Sequence, residues 1–318
     1  MTENEFILAD RIAKIKSVIE KYGEENFYIS FSGGKDSTVL HHLIDEALPG
    51  NRIPRVYSNT GIEYKAIVKF VEELQAEDDR IIIIEPSVPI KKMLEEVGYP
   101  FKSKHYSKIL ELYQRKGMTK AVKVYLGLEP AESGAFIRGN HRCPKMLEYQ
   151  FTEDFKQRVS PKCCDRLKKE PLHEWQKENG YKYGIVGIMA AEGGQREKAQ
   201  CLAFKGNKLK NFQPLAPLNK DWEDWYIKER NICLCKLYYP PYNFTRTGCK
   251  GCPYNLNVQR ELDTLDKYFP AERKQCEYIW KPIYEEYRRI GYRNMRPLDE
   301  GRQTTIEEFL VNMDEKKP

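Results

Sequence analysis

Apolar positions recur at three- and four-residue steps between residues 5 and 21, where Leu8, Ile12, Ile15, Val18 and Ile19 share one face and predict a helix. The period then changes. "NFYISFS" is a short aromatic and β-branched run that predicts a buried strand, and "KDSTVLHHLIDEAL" returns to helical spacing with Leu40, Leu43, Ile44 and Ala47 aligned. "IPRVYSN" predicts a second strand and "EYKAIVKFVEELQAE" a second helix. "RIIIIEPS" reads as a third strand, its four successive isoleucines implying cover on both faces, and "YKYGIVGIM" as a fourth. Strands alternating with helices of this length imply right-handed crossovers, hence an α/β fold on a doubly wound parallel sheet.

That alternation places an α/β domain over residues 1–215, with a mostly helical insertion at about 100–150 between the third and fourth strands. Beyond it, proline-rich loops ("FQPLAPL", "YYPPYNF") alternate with Trp- and Tyr-rich helices, so 216–318 is expected to be a mostly helical C-terminal region. There is no internal repeat and no low-complexity tract.

Composition narrows the class. Hydrophobic residues make up 41% of 318 and no apolar run reaches membrane-span length, which implies a soluble globular protein with no membrane partner. The opening "MTENEFILADRIAKI" is acidic and then amphipathic, without the character of a leader, so a cytoplasmic location is expected. Nine cysteines in that compartment argue for metal or redox chemistry over a disulfide framework. The net charge of +6 is concentrated: residues 101–145 hold ten Lys plus Arg against three Glu, a local +7. Such a segment attracts polyanions or phosphorylated substrates, or is simply a solvated basic face.

The stretch Ser32-Gly33-Gly34-Lys35-Asp36-Ser37 falls between the first strand and the next helix. Glycines let backbone amides turn inward, the helix N-terminus adds partial positive charge, and Lys35 adds a mobile full charge. Ser32 and Ser37 supply hydroxyls, and Asp36 can cap the helix or hold a metal ion. The alternative is a glycine turn with a structural cap. The spacing is not that of a Walker loop, which needs four residues between its first glycine and the Gly-Lys pair.

These six residues resemble the SGGKDS loop of N-type ATP pyrophosphatases, the adenine nucleotide α-hydrolase-like group with a Rossmann-like fold. Members cleave ATP between the α- and β-phosphates, transferring AMP to an acceptor, or bind an adenylylated nucleotide. The resemblance implies ATP and Mg²⁺ as ligands, with Lys35 and Asp36 catalytic. "SNTGIE" resembles the family's "DTG" turn beside adenosine, which implies nucleotide contacts from Asn59, Thr60 and Gly61; Asn59 stands where the usual residue is aspartate. "GIMAAEGGQREKAQ" resembles the "GIRxxES…R" segment of phosphosulfate reductases, with Gly187, Glu192 and Arg196 matching. An arginine there grips phosphate or sulfate bidentately. The family's first arginine is Met189 here and its serine Gly193, so one anion contact is expected to be lost.

The cysteines extend the resemblance. Cys163-Cys164 and, with 84 residues between, Cys249-x-x-Cys252 resemble the iron–sulfur motif of the adenylyl-sulfate reductase branch, and "CCDRLKKEPL" also carries its Lys168, Lys169 and Pro171. The resemblance implies a [4Fe-4S] cluster on Cys163, Cys164, Cys249 and Cys252; the same four thiolates suit a structural zinc ion as the alternative.

Across residues 25–255, then, the chain resembles the phosphoadenosine phosphosulfate reductase family. Reductases carry a C-terminal "ECGLH"-type segment whose cysteine attacks sulfur, whereas the tail here reads "TIEEFLVNMDEKKP". Cys276 shares helical spacing with Ile279, Trp280, Ile283, Tyr284 and Tyr287, which marks it as core. Cys143 lies in the basic segment, as a spare thiol near the site or a bystander, Cys233 and Cys235 alternate on an extended stretch expected to be half-buried, and Cys201 has no partner nearby in sequence. His41 and His42 read as packing, and the tryptophans of "DWEDWYI" as a core stripe. The expected function is therefore an ATP pyrophosphatase serving sulfur transfer to an adenylylated acceptor, with DNA or tRNA as candidates, a sulfur donor as partner, and oligomerisation left open. The alternatives are a divergent adenylyl-sulfate or phosphosulfate reductase and a non-catalytic nucleotide-binding protein with structural zinc. A flavin-adenylylating enzyme shares the fold, but its chemistry calls for no cluster.

Overall fold

The computed structural model describes residues 1–193 and 196–297; of Asn140 and Glu192 it describes only the backbone. In chain order the elements are α1 (Glu3–Tyr22), β1 (Phe27–Phe31), α2 (Lys35–Ala47), β2 (Arg55–Ser58), α3 (Lys65–Glu77), β3 (Ile81–Ile84), α4 (Ile90–Val97), α5 (Lys104–Lys116), α6 (Lys120–Leu126), α7 (Glu170–Glu178), β4 (Tyr183–Val186), β5 (Leu202–Lys205), β6 (Lys208–Phe212), α8 (Lys220–Glu229), α9 (Val258–Tyr268) and α10 (Pro270–Arg289). A π turn, Asp165–Lys169, leads into α7.

The chain forms two compact units, one of Met1–Ser87 with Asp165–Cys249, the other of Val88–Cys164 with the chain from Lys250 onward. The division therefore does not follow the boundary expected at residue 215. α8 belongs to the first unit because Trp222 and Tyr226 are buried in its core, and the basic segment belongs to the second with the C-terminal helices.

The first unit holds a six-stranded sheet in the order β3-β2-β1-β4-β6-β5. β1 is parallel to both β2 and β4, β2 to β3 and β4 to β6, as the alternation implies; only β5 runs antiparallel. β3 lies at the edge, so Ile81 is buried while Ile82, Ile83 and Ile84 are only half-buried, a correction to the cover expected from four isoleucines. The β5–β6 hairpin was not expected from periodicity. Its signal is Gly206-Asn207, a two-residue connection with Gly206 at φ +60°, the geometry of a tight hairpin turn. β1 sits centrally, and its C-terminal end delivers the chain to Ser32.

Packing fixes the helices on this sheet. Leu8, Ile15 and Val18 of α1, Val39, Leu40 and Leu43 of α2, and Trp222 and Tyr226 of α8 join Phe27, Ile29 and Phe212 in one buried cluster. Each such side chain contributes about 1.5–3 kcal/mol by leaving water. The other side of α2 is polar but closed. Arg55 is fully buried, donating from Nε to His41 Nδ1 (3.1 Å) and pairing with Asp45 (2.6 Å), while Arg80 bonds Asp45 and Asp78, each at 2.8 Å. The ligand atoms of His41, Asp45 and Asp78 lie within 4.8 Å of one another, as in a metal site, but the two guanidiniums already neutralise them. His41 is thus structural, as its spacing implies.

In the second unit Phe101 packs against Tyr106 (centroids 5.6 Å apart) and edge-on to Tyr287 of α10 (4.8 Å). Lys250 and Glu272 form a buried pair at 2.8 Å. Cys276 is fully buried on α10, and burial pushes its thiol well above the usual range. Among the described residues, no helix is long and apolar enough to cross a membrane.

Candidate functional site

The loop from β1 to α2 takes its shape from the two glycines. Gly33 sits at φ +65°, a conformation that L side chains rarely adopt, and a β-carbon there would lie 2.8 Å from Val71. Gly34 is the N-cap of α2 and offers no side chain to cap it. A β-carbon on Gly34 would meet Ser32 Oγ and Thr247 Oγ1, each at 3.3 Å. The serines brace the turn: the Ser32 amide donates to Ser37 Oγ (3.2 Å), the Gly34 amide to Ser32 Oγ (3.3 Å), and Ser37 Oγ to the Gly34 carbonyl (2.9 Å). The Lys35 amide donates to the Tyr238 hydroxyl (3.0 Å), which in turn bonds Thr247 (2.8 Å). Ser32, Gly33, Gly34, Lys35, Asp36 and Ser37 thus form one continuous turn at a helix N-terminus, the geometry of an anion nest.

Gly187 joins them. It follows β4, beside β1, and a β-carbon on it would sit 3.0 Å from the Asp36 carbonyl oxygen. The turn after β2 is built differently. The Asn59 side chain accepts from the Gly61 amide (3.3 Å) and donates to Glu85 (3.3 Å), while the amide and hydroxyl of buried Thr60 both bond Glu63. Glu63 pairs in turn with Lys168 at 2.9 Å. Thr60 is committed to Glu63, and it is the polar edge of Asn59 and Gly61 that meets solvent. Arg196 lines an open cleft of about 350 Å³ with Ile188, Lys198 and Gln213. The Glu192 side chain lies outside the description, and so does the tail "TIEEFLVNMDEKKP".

Sequence reasoning passed over the residues that hold Lys35. Its ammonium is bound by Asp224 and lies 3.3 Å from Glu223, both on α8. Burial alone would lower the Lys35 pKa, but these two carboxylates more than offset it and raise it. Lys220 reaches the same place, 3.0 Å from Glu223 and 3.9 Å from Asp36. Glu223 is 1% exposed, and its Oε1 is buried without a hydrogen-bond partner among the described residues. Burial, then the nearby Asp36 carboxylate, push its pKa up despite Lys220. The signal in "NKDWEDWYI" was the charge pattern between the tryptophans, hidden by reading that stretch as a core stripe. Trp222 and Tyr226 are indeed buried, and their burial turns Glu223 toward α2.

The cysteines fall on both units. Cys163, Cys164 and Cys252 belong to the second, and Cys249 closes the first. Within the second unit, Cys163 and Cys164 sulfurs lie 4.0 Å apart. Burial, and then the thiols of Cys163, Cys252 and Cys164, raise the pKa of Tyr254 against the opposing hydrogen bond to Ser107. Three thiols within one unit suit a thiolate-ligated group. In the first unit burial, then Glu63 and, more weakly, Cys249 raise the pKa of buried Tyr57 against the opposing charge of Lys168. Elsewhere burial raises the thiols of Cys143, to about 12, and of Cys235. Cys201 is half-buried, and Cys233 is exposed.

The sequence matches the phosphoadenosine phosphosulfate reductase domain over residues 26–143 and 137–255. That span is more than half of the chain, and the chain belongs to this family. No curated protein matches it. Among solved structures it is similar to the phosphoadenylyl-sulfate reductase of Candida auris in complex with phosphate (13% identity, TM-score 0.37, covering 71% of this chain and 88% of that one). It is similar also to the FMN adenylyltransferase of Candida glabrata (14%, 0.43, 97% and 80%) and to the U34-tRNA thiolase of Methanococcus maripaludis with its [4Fe-4S] cluster (15%, 0.37, 96% and 88%).

Proposed function

We propose that this member of the phosphosulfate reductase family is an ATP pyrophosphatase that binds ATP, or an adenylyl nucleotide, at Ser32–Ser37 and serves sulfur transfer to an adenylylated acceptor. One observation carries the reading: the Gly33-Gly34 turn opens the N-terminus of α2, whose amides meet hydroxyls that a phosphate can replace, beside a lysine held by the α8 carboxylates. Backbone amides, the helix dipole and Lys35 would together receive the phosphates, and Asp36 the accompanying Mg²⁺. Gly187 keeps room beside the turn, Asn59, Thr60 and Gly61 border the nucleoside, and Glu192 and Arg196 complete the set, Arg196 gripping a phosphate or the acceptor's anion.

Cys163, Cys164, Cys249 and Cys252 would hold the [4Fe-4S] cluster; bound there, it supplies thiolate-held iron able to carry or deliver sulfur. Lys168 and Lys169 follow the cysteine pair in sequence on the π turn, paired there with Glu63 and Asp165. The acceptor is a nucleic acid in this reading, drawn to the basic 101–145 segment.

Activation is favoured over sulfonucleotide reduction because reduction needs an ionisable thiol nucleophile. Burial raises the pKa values of Cys143, Cys201, Cys235 and Cys276, the wrong direction for a thiolate, which leaves exposed Cys233 as the thiol outside the four proposed ligands that a reductase reading would have to use. The test offers the protein adenylyl sulfate or its 3′-phosphorylated form with thioredoxin, and in parallel ATP and Mg²⁺ in a calorimeter. ATP is expected to bind and no sulfite to appear. Sulfite release at catalytic rates would replace this reading with that of a divergent reductase.

A further inference from the structure

An incoming phosphate would compete with the α8 carboxylates for the three N–H donors of Lys35. In this structure its ammonium is bound by Asp224 and sits 3.3 Å from Glu223. A phosphate in the loop would share that ammonium and bring further negative charge toward Asp36 and Glu223. Glu223 is 1% exposed, so water cannot compensate the carboxylate. Its Oε1 has no hydrogen-bond partner even with both lysines in place. Lys220 meanwhile spans the two carboxylates, 3.0 Å from Glu223 Oε2 and 3.9 Å from Asp36 Oδ1, where a positive charge is evidently accommodated.

We propose that Glu223 is, together with Asp36, a ligand for a divalent cation of the Mg²⁺ class, with the Lys220 ammonium occupying that place until the cation arrives with the nucleotide. The proposal deepens the nucleotide reading and rests on it. The donor set suits the ion, because hard cations take oxygen ligands and Mg²⁺ is commonly held by one or two carboxylates plus substrate phosphates. Two carboxylates from different elements, the loop side of α2 and the first turn of α8, make a fixed pair, since Asn219 caps α8 (2.9 Å to the Trp222 amide) and the Tyr226 hydroxyl anchors it to Glu46 of α2 (2.8 Å). A site of this kind ties the order of α8 to the occupancy of the loop.

The competing account is that Glu223 merely positions Lys35, and the experiment separates the two. Binding of the α,β-methylene analogue of ATP is measured by calorimetry with Mn²⁺ and with EDTA, for wild type and Glu223→Gln. A cation ligand predicts that the gain in affinity from Mn²⁺ shrinks about tenfold or more in Glu223→Gln. A positioning role predicts equal losses with and without the metal, which would overturn the proposal. Lys220→Met provides a second arm that needs no nucleotide and touches an exposed side chain. Removing the bridging ammonium should tighten Mn²⁺ binding several-fold, read from the free-ion electron paramagnetic resonance signal, and unchanged binding would overturn the proposal even if Glu223→Gln failed to fold. A wild type that binds no nucleotide in either buffer would sink the nucleotide reading, while the Lys220→Met arm would still decide the cation site.

Discussion

Gly187 passes so close to Asp36 that a β-carbon on the glycine would lie 3.0 Å from the aspartate's carbonyl oxygen and 3.2 Å from its carbonyl carbon. Backbone offers no flexible end that can swing aside, so the contact ties the end of β4 to the first turn of α2. Gly187→Ala should displace the loop, costing about 1–3 kcal/mol of stability as an overpacking change. It should also weaken ATP binding beyond what stability explains. Calorimetry and thermal melts check this, and an unperturbed Gly187→Ala would mean that the two segments separate freely.

Lys35→Ala should weaken ATP binding by about 1.5–3 kcal/mol, the worth of a charged hydrogen bond, or roughly ten- to a hundred-fold. Asp224→Asn should do the opposite in EDTA, because exposed Asp224 holds the lysine that phosphate must win. A modest tightening, several-fold at most for an exposed ion pair, is expected, and it should fade at high salt. Equal affinity in wild type and both variants would remove the loop from the binding site.

Anaerobically purified protein should be brown, with broad absorption near about 400 nm. Cys252→Ser should bleach it without unfolding the first unit, whose core contains none of Cys163, Cys164 or Cys252. A colourless protein with one zinc ion per chain would replace the cluster by structural zinc.

Binding of tRNA or DNA should fall steeply with salt, the log–log slope counting neutralised phosphates. Replacing Lys104, Lys108 and Lys116 of α5 together should lower that slope by roughly three if each meets a phosphate. A flat salt response would point to a small acceptor.

His41 makes stability depend on pH with a definite sign. Burial, and then the Arg55 guanidinium, lower its pKa from 6.5 to about 4, against the weaker opposing pull of Asp45. The folded pKa lies below the unfolded one, so the unfolded chain takes up the proton first. Stability is therefore complete above about pH 6.5, falls as pH drops toward 4, and loses up to about 3 kcal/mol in that window. His42, also lowered, adds in the same direction, and Asp45 and Asp78, both held below the usual carboxylate range by Arg80, extend the loss to lower pH. Urea midpoints at pH 7.5 and 5 should converge in His41→Gln relative to wild type. Identical pH dependence in the two would refute the assignment.

What the sequence determined is local or nearly so. The period changes at "NFYISFS" and "KDSTVLHH" set strand and helix, because pleat and helix place side chains at two and 3.6 residues per repeat. The glycine pair then dictates the turn between them, since only glycine enters the left-handed region without strain. Family membership rests on the sequence match over residues 26–143 and 137–255. Tertiary structure decided what depends on distant chain segments meeting. No periodicity says that β3 takes the edge, because cover on a strand's faces comes from helices remote in sequence. Nor does "DWEDWYI" reveal that burying Trp222 and Tyr226 carries Glu223 to Lys35 and Asp36, more than 180 residues back along the chain. The core sets that meeting by apolar packing, and the unpartnered carboxylate oxygen it leaves behind has no signature until α8 and α2 lie side by side.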